Sequence, residues 1–209
     1  PTARGGTSHP PKRRARWRPP GMDDAEGGPL GARLQRLEPV GPDGLRRIQV
    51  TAIGAIEGSM AHNKPRALAQ MATGSGKTFM AANLAYRLVQ TADAERVLFL
   101  VDRANLGRQT LREFQQFATP GDGRKFTDLY NVQWLTSNRI DPAARVVITT
   151  VQRLYSMLRG EADLPEDVDE MSGAEIEPER PVEITYNPEV PIETFDVVIV
   201  DECHRSLYG

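Results

Sequence analysis

The sequence predicts an α/β fold with an open, mainly parallel sheet and helices on both faces. Three observations predict it. A continuous apolar run at Arg96–Val101 reads as a strand buried on both faces, and Arg145–Thr150 and Val197–Val200 read as further strands. Segments with helical spacing of apolar residues lie between the runs. Polar, chemistry-bearing residues follow the runs, and the ligands of open parallel sheets sit at the carboxyl ends of their strands.

The elements follow in order. Residues 1–30 are rich in Pro, Gly and Arg, with a basic cluster at Arg13, Arg14, Arg16 and Arg18. With few aliphatics to build a core, they read as a disordered tail. The folded domain is expected over 31–209. Leu45-Arg46-Arg47-Ile48-Gln49 leads into a helical pattern through Ile53 and Ile56. Arg66–Met71 reads as a short strand, and Lys77–Gln90 as a helix opened by a Gly-rich turn. Arg96–Val101 is a strand. Asn105–Phe117 is a helix with Leu106, Leu111 and Phe114 on one side. Tyr130–Leu135 and Arg145–Thr150 are strands, the second followed by a helix through Leu158. Residues 161–194 are acidic and interrupted by five prolines, Pro165, Pro178, Pro181, Pro188 and Pro191. They read as a solvated surface insertion before the last strand, Val197–Val200.

Composition narrows the function classes. The chain has 209 residues, enough for one well-cored domain. Its formal net charge is -2, so any contact with nucleic acid needs a local basic patch. Cys203 is the one cysteine, which excludes an internal disulfide and fits a reducing cytoplasm. No stretch approaches the ~20 apolar residues that span a bilayer, so no membrane role is expected. The chain begins at Pro1 and stops just past its last strand at Gly209, which reads as a fragment.

Met71-Ala72-Thr73-Gly74-Ser75-Gly76-Lys77-Thr78 follows an expected strand and opens a helix, the context a phosphate-binding P-loop requires. Gly74 and Gly76 let the backbone approach phosphate oxygens, and backbone N–H groups at the helix N-terminus supply partial positive charge. Thr73, Gly74, Ser75, Gly76, Lys77 and Thr78 are therefore the expected ATP-binding residues. Lys77 reaches the β- and γ-phosphates, and Thr78 ligates Mg²⁺ through its hydroxyl. Met71 stands where the strict pattern has glycine.

Val197–Val200 runs into Asp201-Glu202-Cys203-His204, an apolar strand ending in paired carboxylates. Asp201 is expected to hold the Mg²⁺ shell and Glu202 to activate the attacking water as general base. Lys77, Asp201 and Glu202 form the expected catalytic set. Cys203 and His204 alone do not make a tetrahedral zinc site.

The Asp201–Tyr208 box resembles motif II of superfamily 2 helicases, in the form found in the R (motor) subunit of type I restriction-modification enzymes. Leu45–Gln49 resembles the upstream adenine-reading element, with Ile48 where tyrosine is usual. Phe99–Leu106 resembles motif Ia, and Val147–Leu154 the motif Ib region. The resemblance covers roughly 30–209. It implies the first RecA-like motor domain, a P-loop NTPase whose Gln49 reads adenine and whose Arg103, Thr150 and Gln152 lie near the DNA backbone. Plainer roles stand beside these: a salt bridge at a helix start for Arg103, and helix capping for Thr150 and Gln152. The resemblance further implies ATP and Mg²⁺ as cofactors, with double-stranded DNA and the methylase and specificity subunits of a restriction complex as partners. No nuclease core is legible in these residues, so ATP-driven translocation, not cleavage, is the activity expected here.

Two rivals remain at this point. One is another superfamily 2 protein, such as a DNA-repair or type III restriction helicase. The other is a truncated, non-catalytic ATP- or DNA-binding module.

Overall fold

The computed structural model describes residues 29–161, 163–164, 169–171 and 187–201. The basic cluster, Glu202, Cys203 and His204, and most of the 161–194 insertion lie outside the described residues.

Eleven elements follow along these residues. They are α1 (Leu30–Leu34), α2 (Arg47–Ala61), α3 (Lys77–Gln90), β1 (Val97–Val101), α4 (Ala104–Gln116) and α5 (Phe126–Leu129). Then come β2 (Asn131–Trp134), β3 (Ala144–Thr150), α6 (Val151–Leu158), a 3-10 turn (Ile192–Thr194) and β4 (Val197–Val200). The strands form one sheet in the order β2-β3-β1-β4, and every pair is parallel. Parallel neighbours need crossover connections, which the helices between β1 and β3 supply.

Both faces of the sheet are covered, which explains why β1 is apolar throughout: all five of its residues are buried. Val97, Phe99 and Val101 point to one face with Val146 and Ile148. There they meet Ala81, Ala82 and Ala85 of α3 and Phe114 of α4. The alanines let α3 lie close to the sheet, and Phe114 packs edge-on against Phe99 at 6.2 Å between ring centroids. Leu98 and Leu100 point the other way with Val147, against Met157 of α6. A third cluster joins α2 to α3 through Ile53, Met80, Leu84 and Leu88. Gly107 has a packing reason of its own. The Trp134 ring occupies the space a Cβ there would need, so only glycine lets α4 seat on β2.

The structure departs from expectation in two places. Arg66–Met71 is not a strand: residues 64–72 carry no regular structure. A strand exists only where a neighbour takes up its backbone N–H and C=O groups. No described strand pairs with this segment, and β4 is the edge of the four-stranded sheet. Ala69 and Met71 still pack against the α2–α3 cluster, whereas Leu68 is exposed. The second departure is in the insertion. Its described residues are not all solvated, because Asp169 is buried against α6.

Candidate nucleotide and nucleic-acid site

Strand register brings the polar motifs to one edge. Val101 is level with Thr150, and Leu100 with Val200. Asp102, Thr150 and Asp201 therefore lie together at the carboxyl ends of β1, β3 and β4. Asp201 is seated by its backbone N–H, which donates to Leu100 O at 2.9 Å.

The Gly-rich turn lies at the same edge. Gly74 and Gly76 have φ of 75° and 80°, in the left-handed region that favours glycine. Gly76 is the N-cap of α3, so the helix begins at Lys77 with its first N–H groups facing outward. Ser75 closes the turn by donating from Oγ to Ala72 O at 2.6 Å. A cleft of about 330 Å³ opens here. One wall carries Thr73, Gly74, Gly76, Lys77 and Thr78, and Asp201 completes it. Leu106, Gln109, Thr110 and Glu113 of α4 form the facing side. The α4 residues were not anticipated. Leu106 read only as part of the apolar side of the helix, and Gln109, Thr110 and Glu113 form no recognisable motif.

The cleft combines a helix N-terminus and a lysine, both suited to phosphate, with a hydroxyl and a carboxylate suited to a divalent cation. Among the described residues, no group of three or more His, Cys, Asp or Glu could enclose a metal. Thr78 and Asp201 thus fit an ion that takes its other ligands from phosphates and water, as Mg²⁺ does.

Gln49 is 3% exposed and ties α2 to the turn. Its Oε1 accepts from Arg46 N at 2.8 Å, while its Nε2 donates to Ser75 O and Gly76 O, each at 3.1 Å. A Cβ at residue 76 would lie 2.6 Å from that Nε2, a second reason for glycine there. Arg46, which was also not anticipated, reaches Gly74 O with Nη1 at 3.4 Å. In this structure Gln49 braces the backbone of the glycine-rich turn.

The three residues expected near DNA are placed differently from one another. Arg103 caps the start of α4, partly exposed, with Nε 3.7 Å from the Asp102 carboxylate. Thr150 is fully buried and caps α6, its Oγ1 accepting from Arg153 N at 3.2 Å. Gln152 is 9% exposed and donates from Nε2 to Asp102 O at 3.3 Å and Met171 O at 2.8 Å. Thr150 and Gln152 thus lie beneath residues 169–171. Beside them, and missed in the sequence, is Arg153. It is 1% exposed and donates from Nε and Nη2 to Asp169 Oδ2 at 3.1 and 3.0 Å.

None of the described helices is long and apolar enough to cross a membrane.

Comparison with known proteins agrees with this geometry. Residues 43–209 match the family described as type III restriction enzyme, res subunit. The chain is similar to the type I restriction enzyme EcoKI endonuclease subunit of Escherichia coli K12, at 30% identity over 78% of this chain and 12% of that protein. It is similar to the type I restriction enzyme SauCOLORF180P endonuclease subunit of Staphylococcus aureus COL, at 30% identity over 79% of this chain and 15% of that protein. A third relative is the type I restriction enzyme EcoAI endonuclease subunit of Escherichia coli, 29% identical over 77% of this chain and 16% of that protein. The chain thus spans less than a fifth of the length of these curated relatives. No solved structure matches it. A parallel α/β sheet, a glycine-rich turn opening α3 and a match over four-fifths of the residues place the chain in the type III restriction enzyme res-subunit family, a family of RecA-like, helicase-related domains.

Proposed function

We propose that the chain is the ATP-binding motor domain of a type I restriction endonuclease R subunit, in which ATP hydrolysis drives translocation along double-stranded DNA. The observation that carries this reading is the cleft shared by the Thr73–Thr78 turn and Asp201. Lys77 and the N-terminal N–H groups of α3 bind the phosphates. Thr78 and Asp201 hold Mg²⁺, which when bound offsets charge on the phosphate oxygens. Gln49 keeps the turn in its phosphate-binding shape and stands at the position expected to read adenine. Glu202, next to Asp201, is assigned the role of general base toward the attacking water. Arg103, Thr150 and Gln152 are assigned to the DNA backbone, where contacts independent of sequence suit a motor that steps along any duplex. Methylase and specificity subunits are the proposed partners in a cytoplasmic complex.

Similarity to three type I endonuclease subunits favours type I. The family description favours a second reading, a type III restriction helicase. Both share the ATPase step, and the test addresses that step. In the full-length R subunit, duplex DNA should stimulate ATP hydrolysis. Glu202→Gln should keep nucleotide binding while kcat falls by roughly 10²–10⁴-fold. An unchanged rate in that variant would remove Glu202 from the chemistry.

A further inference from the structure

Arg153 is an unusual neighbour for a DNA-contact surface. Its guanidinium is buried, and removing a buried cation's partner is strongly destabilising. Its charged partner comes from the acidic insertion, beside two neutral acceptors, Asn138 Oδ1 at 3.5 Å and Leu164 O at 3.3 Å. Asp169 uses both carboxylate oxygens: Oδ2 accepts from the Arg153 guanidinium, and Oδ1 accepts from the Thr150 hydroxyl. The next residue, Glu170, accepts from Arg108 Nη2 of α4 at 2.5 Å. The one after, Met171, offers its carbonyl to Gln152 Nε2. Three consecutive residues therefore present three acceptors, two of them anionic, to donors on α4 and at the start of α6. A nucleic-acid strand presents the same chemistry, because each phosphodiester has two outer oxygens sharing a negative charge.

We propose that Thr150 Oγ1 and the Arg153 guanidinium form a phosphodiester-binding site, which the chain's own Asp169–Met171 segment fills as an autoinhibitory strap. The proposal rests on the reading that this edge binds DNA. Nucleic acid occupies the site only by displacing the strap, with a backbone phosphate taking the place of the Asp169 carboxylate.

Two features make the strap displaceable. It is held by polar contacts rather than apolar burial: Met171 is 40% exposed, and the side chains of the Arg108–Glu170 pair are 47% and 45% exposed. Salt weakens the half-exposed Arg108–Glu170 pair, whereas the buried Arg153–Asp169 pair is screened little and yields only to a competing anion that takes its place. The strapped arrangement is also incompletely satisfied. Gln152 Oε1 is buried and has no hydrogen-bond donor among the described residues, an arrangement that opposes closure.

The test is binding of a short labelled duplex DNA to the 209-residue chain by fluorescence anisotropy, with thermal melts to confirm folding. Asp169→Asn removes the competing charge and should tighten binding about tenfold, with a steeper salt dependence as one more phosphate is neutralised. Adding Arg153→Gln to Asp169→Asn should abolish that gain. Glu170→Gln should tighten binding in the same direction by about twofold. Because its pair is half exposed, this variant carries the test if Asp169→Asn fails to fold. Arg103→Ala distinguishes the two, since the described ion pair of Arg103 is with Asp102 rather than with Asp169 or Glu170. If Arg103→Ala weakens binding while neither carboxylate variant tightens it, the strap is overturned and the DNA face stands. If no variant binds DNA at all, the DNA face is overturned and the strap with it.

Discussion

Two proposed anion sites lie along one edge of this sheet, and they are built on different principles. At the start of α3 the site is made of backbone: N–H groups of a glycine turn, braced from behind by Gln49. At the start of α6 it is made of side chains: a threonine hydroxyl and a buried arginine. The first site lines an accessible cleft. The second is filled by a carboxylate of the same chain. Water can satisfy backbone donors at a helix end, so such a site can stand ready without a ligand. A guanidinium held out of water cannot wait in the same way, because an unpaired buried charge costs several kcal/mol. The difference concerns the donors alone: water can satisfy the N–H groups that open α3, whereas the Arg153 guanidinium is satisfied by Asp169.

The comparison is open to direct attack. The largest effect is expected at the buried pair. Arg153→Leu alone strands the Asp169 carboxylate and should destabilise the chain by about 3–5 kcal/mol in urea unfolding. Arg153→Leu with Asp169→Leu removes both charges and should recover most of that loss. A double variant as unstable as the single would mean that the pair is not what holds Asp169 at α6.

The same pairing in the open should behave differently. Asp122 accepts from Arg124 Nε at 2.7 Å, Arg124 N at 3.1 Å and Thr119 Oγ1 at 2.8 Å in the turn after α4. Those hydrogen bonds, the Arg124 side chain foremost, hold its carboxyl down at about 2. The ordinary value is about 3.9, so the contribution to stability is complete above about pH 4. It is lost as pH falls from there through the folded value near 2. NMR titration of the Asp122 carboxyl should show that midpoint, and Asp122→Asn should flatten this part of the acid limb only slightly, as for any exposed pair. A midpoint near the ordinary value would deny the turn its hydrogen bonds.

The two sites were not equally legible in the sequence. The glycine-rich turn was readable because its parts are contiguous. Gly74, Gly76, Lys77 and Thr78 sit in one turn, and Lys77–Gln90 is a helix with the bounds its apolar spacing indicates. The strands at β1 and β3 were readable because burial on both faces leaves unbroken apolar runs; β4, at the edge, keeps such a run although Val198 is 52% exposed. What was lost depends on pairing across the chain. Arg66–Met71 read as a strand before the glycine-rich turn, yet a strand is a relation between two segments, and this one has no described neighbour. Arg153 entered only as part of the Val147–Leu154 segment, and Asp169 lay in an acidic insertion read as solvated. They are 16 residues apart, on opposite sides of a Pro-containing stretch, and only the fold makes them partners. Gln49 illustrates an intermediate case. Its place on α2 was anticipated, but its two bonds to the P-loop carbonyls were not, because they depend on how α2 packs against α3.

The central claim is that the cleft between the α3 turn and Asp201 is a nucleotide site. Titrating the 209-residue chain with a fluorescent ATP analogue and Mg²⁺, beside Lys77→Ala, tests it most directly. The account predicts saturable binding in the parent and a loss of about 100-fold or more in the variant, as a charge-assisted contact to phosphate is removed. Binding of equal strength in both proteins would contradict it.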